Sequence, residues 1–111
     1  MQLFVKICGI TLPADAAAAV ACGATAIGVN FFSGSPRYVT DEQAREVCAA
    51  AEGAVKIGVF VSPARDEVNR RIDACGLDLV QFHGEESPEF CAEWGDSVIR
   101  ALRLSSREEL E

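Results

Sequence analysis

Hydrophobic and polar positions along the chain alternate between two periods. Short apolar runs bounded by glycine read as buried parallel strands, and between them lie segments with the 3.6-residue spacing of amphipathic helices. Leu3 to Cys8 (LFVKIC) is the first run. Pro13 to Cys22 is alanine-rich and helical, with Pro13 suited to a first turn and Gly23 to the stop. Ala24 to Phe32 is the second strand, and a helix follows from Asp41 to Ala51. Thr40 and Gln43 are spaced as a capping box ahead of it, and Gly53 closes it. Ala54 to Val61 is the third strand, after which Ser62-Pro63 is expected to cap and start a helix ending at Gly76. Leu77 to His83 is the fourth strand. Ser87-Pro88 opens a shorter helix closed by Gly95, and Ser97 to Leu104 is the fifth strand.

Strands alternating with helices predict an α/β fold with right-handed βαβ units and a parallel sheet. Two architectures satisfy this. One is an open doubly wound sheet of five strands. The other is part of a (β/α)8 TIM barrel, whose full form takes about 250 residues. The last residues favour the barrel. Ser105 and Ser106 are N-cap candidates with Glu108 and Glu109 behind them, yet only about one turn of sequence follows. The expectation is a single domain over residues 1–111: an incomplete barrel of about four and a half βα units, strands one to five, cut within the helix starting near Ser105.

Composition narrows the function. A formal net charge of −7 and the lack of a basic run argue against nucleic-acid or anionic-membrane partners. No apolar run approaches the roughly 20 residues of a membrane span, and the N-terminus reads as a strand rather than a leader. The five cysteines are odd in number and widely spaced, without a CxxC pair, and His83 is the single histidine. A disulfide framework or a metal site is not expected, and reduced thiols suit a cytoplasmic protein. No nucleotide-binding glycine loop occurs.

In either architecture, chemistry belongs at the C-terminal ends of the strands. There the sequence places Cys8, Asn30, the loop Ser33 to Val39, Ser62 and His83. Cys8 reads either as a small buried hydrophobe or as a base or nucleophile. Lys6 shares its strand face and either supplies positive charge to Cys8 or pairs with a carboxylate. Arg37, between Pro36 and Tyr38, is either a solvated loop residue or a bidentate clamp for an anion. His83 is a structural histidine or a proton carrier, and Gln81 lies on its strand face. Glu85 and Glu86 read as a solvated loop and a helix N-terminal charge, and Cys22, Cys48, Cys75 and Cys91 as helix packing.

Several segments, in order, resemble phosphoribosylanthranilate isomerase: Lys6-Ile7-Cys8-Gly9-Ile10-Thr11, Asp15-Ala16, Gly28 running into Ser35-Pro36-Arg37-Tyr38-Val39, Gly58-Val59-Phe60-Val61, and Leu77 through Pro88. Phe82 stands where leucine is usual and Thr25 where an aspartate is common. The resemblance implies a (β/α)8 barrel of tryptophan biosynthesis. Its reaction is an Amadori rearrangement of N-(5-phosphoribosyl)anthranilate, without cofactor or metal. It implies Cys8 as general base, Arg37 as the contact for the anthranilate carboxylate, and His83 in the wall of the site. It also implies that the general acid, an aspartate, and the phosphate-binding loops lie outside these residues. The chain alone is therefore expected to be inactive toward its small anionic substrate, and to self-associate through uncovered strand edges.

Overall fold

In a computed structural model, which describes residues 4–84 and 86–100 (backbone alone at position 100), the strand and helix repeat is present throughout. The strands are β1 (Lys6–Cys8), β2 (Ala26–Asn30), β3 (Val55–Phe60), β4 (Leu79–Phe82) and β5 (Val98–Arg100). The helices are α1 (Pro13–Ala21), α2 (Asp41–Ala50), α3 (Arg65–Cys75) and α4 (Pro88–Cys91), the last continuing into a 3-10 segment, Ala92–Ser97. The expected end of the fifth strand, the helix near Ser105, Leu3 and Glu85 lie outside the described residues.

All neighbouring strands are parallel, in the order β1-β2-β3-β4-β5. This order decides between the two architectures. A doubly wound sheet reverses direction at a switch point, which puts helices on both faces. A sheet that adds each strand to the same edge through right-handed crossovers carries all its helices on one face. That arrangement is seen here. Ala16 of α1, Val47 of α2 and Val68 of α3 share one core with Ile27, Val29, Phe60, Val80 and Phe82. The chain is an arc of a barrel, and the doubly wound alternative is excluded. Its concave face carries the other set of alternating positions, namely Lys6 and Cys8, Gly28 and Asn30, Val59, and Gln81.

Local chemistry explains most boundaries. The Thr40 hydroxyl accepts from Gln43 N at 3.2 Å, and the Gln43 side chain accepts from Thr40 N at 2.9 Å, completing the capping box. Ser87 accepts from Phe90 N at 3.1 Å, and Pro88 occupies the first helical position. The start of α3 differs from expectation. Ser62 has a positive φ of 47°, and the helix begins only at Arg65, capped by Ala64 without a side-chain hydrogen bond. The reason is tertiary: Ser62 N donates to the Glu86 carboxylate at 2.6 Å, across 24 residues.

A buried arginine ties α3 to the sheet. Arg71 is 4.4 Å above the Phe31 ring, donates to Phe31 O at 3.3 Å and Glu67 Oε2 at 2.8 Å, and faces Asp41 Oδ1 at 3.0 Å.

The cysteines divide by burial. Cys48 and Cys75 are packed as expected, whereas Cys22 is exposed just past the end of α1 and Cys91 is half-buried. Burial pushes the Cys48 thiol up to about 11, and Cys75 nearby adds to the effect. Cys75 is raised by burial and then by Asp41. In the unfolded chain a thiol ionises near 9. Protons therefore leave the unfolded state first, so the stability from these neutral thiols is complete below that pH and lost as pH rises through the folded value. The urea midpoint should fall between about pH 9 and pH 11, and by less in Cys48→Val. An identical alkaline fall in wild type and variant would contradict the assignment.

Candidate active site

The site begins with the turn that ends β1. Gly9 has φ +79°, and its N–H and that of Ile10 both donate to Gly28 O, at 3.1 and 3.2 Å. This turn leaves Cys8 exposed at the strand end instead of buried as packing. A neighbouring glycine gives Cys8 its room. Gly28 is its partner in register, and a Cβ there would stand 2.9 Å from Cys8 Sγ and 3.3 Å from Lys6 Cε. Gly28→Ala is therefore expected to turn Cys8 aside and cost about 1–3 kcal/mol. Urea unfolding and the alkylation rate of Cys8 read the two effects, and no change in either would refute the close-approach account.

The loop after β2 brings Arg37 to the same turn. Asn30 Oδ1 accepts from Phe32 N at 2.8 Å, Ser35 Oγ accepts from Arg37 N at 3.1 Å, and Val39 N returns to Asn30 O at 3.0 Å. The Arg37 stem then lies over Gly9, where an added Cβ would meet its Cγ at 3.3 Å, and Arg37 Nη1 points to Gly9 O at 3.4 Å. A side chain at position 9 would push the arginine away, so this glycine serves both the turn and the contact. The guanidinium remains exposed.

His83 follows β4 and is anchored by its N–H to Phe60 O at 2.9 Å. It shares a cavity of about 480 Å³ with Cys8, Asn30, Phe32, Ser35, Val59 and Val61. That volume is in the range of small-molecule sites. Of the three expected site residues, Cys8 and His83 thus line one cavity, and Arg37 packs on the turn beside it. Among the described residues no group of three or more His, Cys, Asp or Glu side chains could hold a metal ion, and no helix is long and apolar enough to cross a membrane.

Two expectations about neighbouring groups change. Among the described residues Lys6 pairs with no carboxylate: its ammonium donates to the amide oxygen of Gln81. Glu86, expected as a helix N-terminal charge, does precede α4 but is buried, at 7% exposed. Its Oε2 accepts from Ser62 N at 2.6 Å and its Oε1 from Gly84 N at 2.9 Å, which fastens the loop after β3 to the loop after β4. The sequence gives one hint of this, since an acidic residue directly before Ser87-Pro88 sits at the start of a helix. The partner in another loop, 24 residues away, is invisible locally.

The geometry has counterparts among known proteins. Residues 5–111 match the model of the N-(5'-phosphoribosyl)anthranilate (PRA) isomerase family. An N-(5'-phosphoribosyl)anthranilate isomerase from Pelobacter propionicus is 48% identical over 108 residues, 96% of this chain and 52% of the relative. The crystal structure of phosphoribosyl anthranilate isomerase from Thermus thermophilus is similar at 39% identity and a TM-score of 0.86, over 96% of this chain and 56% of that one. A phosphoribosyl anthranilate isomerase in complex with reduced 1-(o-carboxyphenylamino)-1-deoxyribulose 5-phosphate is 34% identical with a TM-score of 0.90, over 97% of this chain and 57% of that one. The chain spans about half the length of the curated relatives it matches. With its strand order, its concave polar face and this match over nearly its whole length, the chain belongs to the phosphoribosylanthranilate isomerase family.

Proposed function

We propose that this chain supplies the base-bearing part of a phosphoribosylanthranilate isomerase, converting N-(5-phosphoribosyl)anthranilate to 1-(2-carboxyphenylamino)-1-deoxyribulose 5-phosphate. The observation that carries the reading is the meeting of Cys8 and His83 on one cavity, beside the turn on which Arg37 packs.

The chemistry needs only proton transfers. An acid protonates the ribose ring oxygen; the C1–O bond breaks as the aniline nitrogen lone pair forms a C1=N iminium. The Cys8 thiolate takes the C2 proton, and that electron pair forms C1=C2 while the nitrogen recovers its own. The resulting enol loses its hydroxyl proton and gains one at C1, giving the ketone. Atoms balance without a redox partner, metal or cofactor. In this reading Arg37 grips the anthranilate carboxylate with its planar fork, and the acid and the phosphate site come from outside the matched part. A net charge of −7 leaves recognition of an anion to such local cations.

The test is a chimera of this chain joined to the second half of the Pelobacter propionicus relative, assayed for loss of the substrate's fluorescence beside the chain alone. Turnover by the chimera and none by the chain alone is expected. A folded chimera without turnover overturns the reading. The chain alone should also self-associate, because β1 pairs on one side only among the described residues, and Phe4 before it and Ile7 within it are 63% and 42% exposed. A monomer in light scattering contradicts this.

A further inference from the structure

Three polar side chains cross the concave face in a line. Lys6 of β1 donates from its ammonium to Gln81 Oε1 on β4, and Gln81 Nε2 lies 2.6 Å from His83 Nε2. These strands are separated by β2 and β3, so the contact exists only because the sheet curls. Gly28 keeps the path open, since a Cβ there would crowd Lys6 Cε at 3.3 Å. Gln81 is 8% exposed, which keeps its amide from turning out to water.

The order of donors and acceptors along this line has one solution. An ammonium has three donors and no acceptor, so it can face only the oxygen of the amide. The amide nitrogen then faces His83, and it too carries only donors. An N–H on His83 Nε2 would point at another N–H at 2.6 Å. Nε2 must therefore present its lone pair, and the neutral ring carries its proton on Nδ1.

We propose that Lys6 and Gln81 are positioning residues that hold His83 in the Nδ1–H tautomer, so that the ring offers a hydrogen-bond donor at the cavity where Cys8 lies. The tautomer stands on hydrogen-bond geometry alone. Its use rests on the isomerase reading: there, Nδ1–H holds an oxygen of the substrate while Cys8 moves the proton. The imidazole is then a donor to substrate and not a second base.

His83 is the only histidine in the chain, so its ring nitrogens can be read without assignment in a long-range 1H–15N correlation spectrum. At about pH 8.5 the ordinary imidazole is neutral. The expected spectrum has Nδ1 upfield, as a protonated nitrogen, and Nε2 downfield, as a bare one. In Gln81→Glu the carboxylate only accepts, so Nε2 must take the proton and the two signals exchange places. In Lys6→Met the amide is free to turn, both tautomers are populated, and the signals draw together. A wild-type spectrum with Nε2 protonated, or a Gln81→Glu spectrum unchanged from wild type, overturns the proposal. An unchanged Lys6→Met spectrum removes Lys6 from it. The wild-type measurement needs no variant to fold, and none of the measurements needs substrate or turnover. A failure of the isomerase reading thus remains distinguishable from a failure of the tautomer.

Discussion

Phe82→Ala is expected to lower the stability of the fold by about 3–5 kcal/mol, the range for emptying a buried aromatic site. Phe82 is fully buried on the helix-facing side of β4. Its ring meets Phe60 at 6.1 Å between centroids, Phe90 at 5.4 Å and Trp94 at 5.4 Å, and Phe90 and Trp94 meet each other at 5.0 Å. Domains of this kind have about 5–15 kcal/mol in total, so the loss takes a large share of it. Trp94 is the only tryptophan and touches Phe82, so its fluorescence reports on this cluster while far-ultraviolet circular dichroism reports on the helices. Both should shift to lower urea together. Phe82→Leu retains most of the apolar area and should cost markedly less. A loss below about 1 kcal/mol in Phe82→Ala would mean that the cluster is not the keystone of this end of the sheet.

Cys8→Ser in the chimera is expected to reduce kcat by about 10²–10⁴-fold, the contribution of a positioned proton acceptor. The swap is nearly isosteric at an exposed strand end, so stability should hold. What changes is the acid: a serine hydroxyl holds its proton far more tightly than a thiol and supplies almost no anion at neutral pH. The loss should fall on kcat with little change in KM, since the base acts on a proton in flight rather than on bound substrate. Arg37→Lys keeps the charge but removes the fork, and should act mainly through KM. A Cys8→Ser chimera with near-normal kcat would remove Cys8 as the base.

What could be read in the sequence was local. The capping box at Thr40 and Gln43 and the Ser87 cap involve residues three apart, and both formed as spaced. The glycine punctuation and the alternation of apolar runs were enough for the strand and helix order, because that order is written in periodicity. Cys8, Arg37 and His83 stood out as candidates because parallel sheets gather chemistry at one edge, and the fold brings Cys8 and His83 to one cavity with Arg37 on the turn beside it.

The errors share one physical cause. Ser62-Pro63 has the form of a helix start, but a carboxylate 24 residues later claims the Ser62 N–H and holds its backbone at positive φ. Glu86 reads from its place before Ser87-Pro88 as a helix N-terminal charge, and its burial follows from the same contact. Lys6 was a charge in search of a carboxylate, and its partner was an amide three strands away. Each involves a polar group whose partner lies in another βα unit, far along the chain.

The sequential order of the strands bears on how the chain is made. Every strand after β1 pairs with the strand immediately before it in sequence. At about 5–20 residues per second, a ribosome delivers each strand to an edge that already exists, in the order in which the edge is needed. Among the described strands, each edge from β1 to β5 is met by the next strand to be synthesised. The arc can grow in the direction of translation, one βα unit at a time.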